Sequence, residues 1–164
     1  MIDQYITRYG KRLYGLCLSL CANVHEAEDL YQDTWLKVLQ SFAQSDREKP
    51  FEPWLTQICV NLYRNRLRRL ARSPFLHFTS NEAKDAALAM VAAPERPDYS
   101  DLHRAIDGLP EKLRLAVILY YFRDMDIGAA AAVLKVPAGT VKSRLHKARI
   151  QLKEVLGDGT DLQF

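Results

Sequence analysis

Between Ile2 and about Leu20 the apolar residues Ile6, Leu13, Leu16, Cys17 and Leu20 recur at helical spacing, while Arg8, Lys11 and Arg12 fall elsewhere. That pattern predicts an amphipathic helix. Asn23 opens a second one, because its side chain can accept from the unpaired first-turn amides and Glu26 stands three residues on, the capping-box spacing. Its predicted buried stripe is Ala27, Tyr31, Thr34, Val38 and Phe42, with Trp35 at one border, and the polar stretch from Gln44 to Lys49 ends it. A third helix begins near Pro50 to Pro53, where a missing N–H costs nothing in the first turn. Leu55, Ile58 and Leu62 supply its apolar face, and it runs on into Arg64, Arg66, Arg68, Arg69 and Arg72.

A second periodic block starts near Asp101, with Leu102, Ala105, Ile106 and Leu109 on one face. Pro110 and Glu111 start the next helix, whose apolar side continues through Leu113, Val117 and Tyr120 until Arg123 and Asp124 interrupt it. Asp126 is placed to cap a short helix through about Leu134. A turn over Val136 to Gly139 and a last helix over Thr140 to Leu156 then complete a helix-turn-helix. Between the blocks, Pro74, Pro94 and Pro97, the polar group Thr79 to Asn81 and the small-residue run Ala86 to Ala93 read as a linker with too few large apolar side chains for a core. The predicted fold is all-α, two small helical domains joined by a linker: 1–72, 73–98 and 99–164, the last containing the helix-turn-helix.

The 164 residues suit this division, and 48% hydrophobic with 26% charged residues places the chain among folded proteins. A net charge of +3 decides little, but its distribution does. Residues 57–73 hold five arginines and no acid, residues 135–153 hold six Lys and Arg and no acid, and residues 74–103 between them carry five acids against two bases. Two basic surfaces separated by an acidic segment suit a polyanion, with a solvated face that has no partner as the other reading. On the last helix Val141, Leu145, Ala148, Leu152 and Val155 share a narrow apolar face, Ser143, His146, Lys147 and Ile150 point the other way, and Lys142, Arg149 and Arg144 lie along the flanks. Such a helix fits the DNA major groove, where base edges offer acceptors and phosphates line the walls.

Other chemistry finds no constellation. Cys17, Cys21 and Cys59 sit in apolar periodic stretches as expected reduced core thiols, and neither Cys59 nor His25 stands at a zinc-binding spacing from the other two. There is no glycine-rich phosphate loop with its lysine, and the carboxylates at 26, 28, 29 and 33 have no evident cleft around them. No catalytic residue, metal or cofactor is expected. No run of about 18 apolar residues and no secretory processing pattern is present, so the chain is expected to be cytoplasmic, without a membrane span.

Three stretches in this order and spacing carry a family resemblance: AEDLYQDTWLKVL at 27–39, PWLTQICVNLYRNRLRR at 53–69, and LPEKLRLAVILYYFRDMD at 109–126 followed by VPAGTVKSRLHKARIQLKEVL at 136–156. Across about 130 residues the chain resembles the extracytoplasmic-function sigma factors of bacterial RNA polymerase, which retain only regions 2 and 4. The resemblance implies an alternative sigma factor, not an enzyme, that directs core RNA polymerase to promoter DNA and assists melting of the −10 element. An anti-sigma protein is a further partner that the family leads one to expect.

By resemblance, Asp29, Gln32, Asp33 and Leu36 bind polymerase; periodicity puts Asp29, Asp33 and Leu36 within about 60 degrees of one another, opposite Tyr31 and Val38. For the −10 element the resemblance points to Asn61, and helical periodicity adds Asn65, Arg68 and Arg72 to it as one stripe of amides and guanidinium groups; Asn65 stands where many members have aspartate, so that residue's family role is not carried over. The −35 contacts fall on Lys142, Ser143, His146 and Lys147 as base-edge candidates and on Arg144 and Arg149 as phosphate contacts, with capping or packing the other reading of His146. Trp35 and Trp54 are read as core or interdomain aromatics before base stacking. Two departures are visible. The chain enters the region 2 pattern at once, which implies a less stable region 2, and Gly128 with Ala129 to Ala132 replaces a more charged segment, where glycine costs roughly 1 kcal/mol against alanine. The acidic bias of residues 74–103 is compatible with mimicry of nucleic acid in a basic polymerase channel. Two other readings stand beside the sigma factor: a stand-alone helix-turn-helix regulator that uses residues 1–72 for dimerisation or effector sensing, and a helical adaptor whose basic faces bind acidic proteins.

Overall fold

The computed structural model describes residues 2–21, 23–72 and 100–157. The expected linker, with its prolines and alanines, lies outside these residues. The chain divides into two compact units, Met1–Ala93 and Pro94–Phe164. All regular structure among the described residues is helical, and no helix there is long and apolar enough to cross a membrane.

In the first unit α1 (Ile2–Leu20), α2 (Val24–Ser41) and α3 (Phe51–Ala71) pack pairwise against one another. Asn23 caps α2 as its sequence suggests: its backbone is extended and its Oδ1 accepts the Glu26 N–H at 2.8 Å. The helix then tightens into a 3-10 turn over Phe42–Gln44. The buried arcs are rotated from those that periodicity alone suggests. On α2 the core residues are Ala27, Leu30, Thr34, Trp35 and Val38, with Tyr31 and Phe42 only half-buried. On α3 they are Leu55, Thr56, Cys59, Val60 and Tyr63, while Ile58 and Leu62 are half-buried. The reason is that each of these helices meets two neighbours, so each buries an arc wider than a single stripe. The buried Thr34 hydroxyl is satisfied by donating to the Leu30 carbonyl at 2.6 Å. Cys17, Cys21 and Cys59 are buried free thiols, and the sulfurs of Cys17 and Cys59 lie 3.8 Å apart where α1 meets α3.

The second unit contains α4 (Ser100–Asp107), α5 (Glu111–Val117), a π turn over Ile118–Phe122, α6 (Ile127–Leu134) and α7 (Ala138–Leu156). Asp126 Oδ1 accepts the Ala129 N–H at 2.7 Å and starts α6. Lys135, in the left-handed region at φ 58°, ends it with its N–H on the Ala131 carbonyl. The connection to α7 is shorter than the expected four-residue turn. Pro137, at φ −62°, precedes the helix directly, and its carbonyl accepts the Thr140 and Val141 N–H groups at 3.0 and 3.3 Å. α7 therefore begins at Ala138 and not at Thr140, because proline's fixed φ suits a helix entry. It packs on α4, α5 and α6 through Val141, Leu145, Ala148 and Leu152. Val155, expected on that face, is 70% exposed: the described helices cover α7 only as far as Leu152. The π turn, with no counterpart in the apolar pattern, lets adjacent Ile118 and Leu119 both be buried and brings the Tyr120 and Tyr121 rings edge to face at 4.8 Å.

Candidate nucleic-acid interface

Burying one face of α7 commits the rest of it to solvent. Lys142, Ser143, His146 and Lys147 are exposed, while Arg144 and Arg149 are half-buried on the flanks. A shallow groove of about 400 Å³ runs from the start of α5 to the first turns of α7, lined by Lys112, Leu113, Gly139, Thr140, Ser143, Arg144 and Lys147. It holds three cations and no acid, a setting for a phosphate; Lys112 and Thr140 are additions to the expected set. Lys112 is invisible to helical periodicity because it lies on a different helix from the others. Arg149 is half-buried, with its charge close enough to the Tyr121 hydroxyl to act on it. Burial pushes the Tyr121 hydroxyl above its ordinary pKa, and this arginine partly opposes the shift.

In the first unit α3 carries the expected stripe. Asn61 is half-buried, Asn65, Arg68 and Arg72 are exposed or nearly so, and Arg68 Nη1 donates to Asn65 Oδ1 at 3.4 Å. Arg66 leaves the basic set: it points to α2, where its Nη2 pairs with Asp33 Oδ2 at 2.5 Å and its Nη1 donates to the Glu26 carbonyl at 3.2 Å.

A cavity of about 250 Å³ lies at the N-terminal end of α3, walled by Tyr5, Phe42, Phe51 and Trp54 and closed by the loop Gln44–Pro50. Phe51 is its hub, with ring centroids 4.4 Å from Tyr5, 5.6 Å from Trp54 and 6.5 Å from Trp35. Tyr5 also meets Phe42 edge to face at 5.5 Å, and the Arg47 guanidinium sits 5.3 Å over the Phe42 ring. Aromatic walls, with Arg47 and Lys49 on a rim that also holds Asp46, form a setting for an unpaired base. The two tryptophans part company here. Trp35 is core, 6% exposed, with an indole N–H that has no hydrogen-bond partner among the described residues, whereas Trp54 lines the cavity. Tyr5, Phe42 and Phe51 were absent from the expected site, because the cavity exists only once three chain segments meet; the one signal in sequence is the aromatic pair flanking the polar loop.

On α2 the expected docking residues Asp29, Gln32, Asp33 and Leu36 are all exposed. Leu36 is 55% exposed and is joined by Leu39 at 51%, one turn further on and not among the expected residues. Two exposed leucines beside carboxylates make an apolar anchor with a polar rim. Among the described residues no group of three or more His, Cys, Asp or Glu is placed to hold a metal.

Both helical units have counterparts among known proteins. Residues 5–73 match the family model of sigma-70 region 2, and residues 99–152 that of sigma-70 region 4. The chain belongs to the extracytoplasmic-function sigma factors. As such it is an alternative sigma factor, which directs RNA polymerase to promoters, and it is not an enzyme. It is 34% identical to the sigma factor SigE of Mycolicibacterium smegmatis over 94% of this chain and 61% of that protein. It is 30% identical to the sigma-H factor of Pseudomonas aeruginosa, covering 94% and 85% of the two chains, and 29% identical to SigW of Bacillus subtilis, covering 92% and 86%. This sigma factor therefore spans less than two thirds of the SigE relative but most of the other two. Among solved structures it is similar to the sigma factor RpoE in complex with the anti-sigma factor NepR from Bartonella quintana, with a TM-score of 0.81, 26% identity, and 97% and 98% of the chains covered. CnrH in complex with the cytosolic domain of CnrY gives a TM-score of 0.67 at 25% identity, with 96% and 88% covered.

Proposed function

We propose that this sigma factor divides its work among three surfaces. The exposed face of α2, with Asp29, Gln32, Asp33, Leu36 and Leu39, docks on core RNA polymerase. The α3 stripe of Asn61, Asn65, Arg68 and Arg72, together with the aromatic cavity at the N-terminal end of the same helix, takes the melted −10 strand. The α7 face of Lys142, Ser143, His146 and Lys147 enters the −35 major groove, with Arg144 and Lys112 on the phosphates. Residues 1–72 and 99–164 act as the two binding domains, and 73–98 as the linker that sets the distance between them.

The observation that carries this reading is the cavity walled by Tyr5, Phe42, Phe51 and Trp54 at the N-terminal end of α3, the helix whose other end carries the arginines. A base taken out of the duplex exchanges its stacking for another aromatic surface, and such a contact is worth about 1–3 kcal/mol per base. A duplex-only regulator has no use for such a cavity. Binding to two promoter elements through one polymerase-bound protein gains from high effective concentration, so free promoter is held weakly. An anti-sigma protein is the third partner, supported by the likeness to RpoE, whose solved structure contains one.

The test is transcription reconstituted from this chain and core polymerase on a promoter library, with start-site sequencing. Expected is a single promoter class with fixed spacing between −35 and −10 elements. Tight binding to duplex without polymerase, or no initiation with it, would overturn the reading in favour of a stand-alone regulator or an adaptor.

A further inference from the structure

Arg66 stands apart from the other arginines of α3. It lies about 140 degrees round the helix from Asn61, off the stripe of Asn61, Asn65, Arg68 and Arg72. Its guanidinium fork reaches two points on α2 that are seven residues, two helical turns, apart: the Asp33 carboxylate and the Glu26 carbonyl. A planar fork can hold two acceptors at once, whereas an ammonium is a point charge. The Arg66 side chain is 26% exposed and Asp33 53%, an overall exposure close to that of the ion pair of Arg12 with Glu52 in the same domain, at 52% and 33%, which makes that pair a matched control. Asp33 keeps 53% of its side chain in solvent, and among the described residues only its Oδ2 is held.

We propose that Arg66 is a positioning residue that couples polymerase docking on α2 to the placement of α3 against the −10 strand. The inference rests on the three-surface reading above. Asp33 belongs to the docking face, and through Arg66 it is bonded to the helix that carries the DNA contacts. A polymerase cation arriving at the exposed side of the carboxylate shares it with Arg66, so the docked state and the seat of α3 depend on each other. Linkage makes this reciprocal: if docking improves capture of the strand by some factor, a captured strand tightens docking by the same factor.

That factor is measurable with the full chain. The affinity of core polymerase for the sigma factor is titrated with and without a single-stranded oligonucleotide of the −10 non-template sequence defined by start-site mapping. The natural chain is expected to bind polymerase at least about fivefold more tightly when the oligonucleotide is present. Arg66→Gln should bring the ratio close to one, and Arg66→Lys should keep part of it. Arg12→Gln, which breaks the α1–α3 ion pair outside the binding surfaces, should leave the ratio unchanged even where it lowers the melting temperature. A purely structural arginine would lower thermal stability and spare the ratio, and a folded Arg66→Gln or Arg66→Lys protein with the full ratio overturns the proposal. So does a natural chain that binds polymerase and oligonucleotide with no coupling. Failure of the natural chain to bind polymerase at all would instead strike the three-surface reading.

Discussion

The rings of Tyr5 and Phe51 lie 4.4 Å apart at a tilt of 42°, joining the first turn of α1 to the first residue of α3. This pairing forms the back of the aromatic cavity and sets α3 relative to the loop that closes it. The surface proposed to hold a base is thus built from three chain segments and braced by this ring contact, with Trp54 and Phe42 as the remaining walls.

Trp54 is the wall to remove, since Phe51 also packs against Trp35 and supports the core. Trp54→Ala should slow promoter opening at saturating polymerase by roughly five- to 150-fold, the equivalent of removing about 1–3 kcal/mol of stacking. Permanganate reactivity of the −10 bases reads this, and polymerase affinity should stay within about twofold. Normal opening by the folded variant would remove the cavity from the mechanism.

Leu36 is 55% exposed, so a charge there costs the fold little. Leu36→Lys should leave the urea midpoint within error of the natural chain while lowering the affinity for core polymerase by at least about tenfold, or about 1.4 kcal/mol, as expected for a desolvated apolar anchor. Unchanged affinity would move the docking face elsewhere.

Lys147→Glu tests the duplex interaction. Lys147 is exposed on the groove side of α7, with Arg144 and Lys112 near the same concavity. Reversal should weaken initiation from promoters that depend on the −35 element and spare polymerase binding. The salt dependence of promoter binding should also become shallower, the log–log slope falling by about one for each phosphate that the variant no longer neutralises. An equal drop in polymerase binding would argue against the assignment.

Alkaline pH tests two half-buried tyrosines. Burial raises the Tyr14 hydroxyl pKa, with the Glu28 carboxylate adding to the effect, and burial likewise raises that of Tyr121 against Arg149. The unfolded chain ionises its tyrosines near pH 10, so above about that pH it releases protons that the folded chain still holds. Stability is therefore full below about pH 10 and falls as pH rises from there through the higher folded values. Urea midpoints between about pH 8 and 11 should show the fall, and Tyr14→Phe and Tyr121→Phe should each flatten it. Curves that superimpose with that of the natural chain would contradict the burial effect.

Much of this architecture is legible along the chain. Asn23 and Asp126 mark helix starts because a cap needs only a side-chain oxygen and an amide three residues away. The α1 boundaries, the exposed face of α2 that carries Asp29, Asp33 and Leu36, the amide and arginine stripe of α3 and the basic outer face of α7 follow from helical geometry, which repeats every 3.6 residues. Family membership was legible too, since its motifs are runs of neighbouring residues.

What the sequence could not decide are matters of which neighbour covers which side. Leu30 and Trp35 rather than Tyr31 fill the α2 core because α1 and α3 close on that arc. Trp54 lines a cavity, and Val155 stands exposed where α7 outruns its partners. Arg66 resembles its arginine neighbours in sequence, yet it is committed to Asp33, 33 positions earlier. Hydrogen bonds within a helix span four residues and so are written locally, whereas burial and ion pairing between helices depend on packing angles that no short window contains.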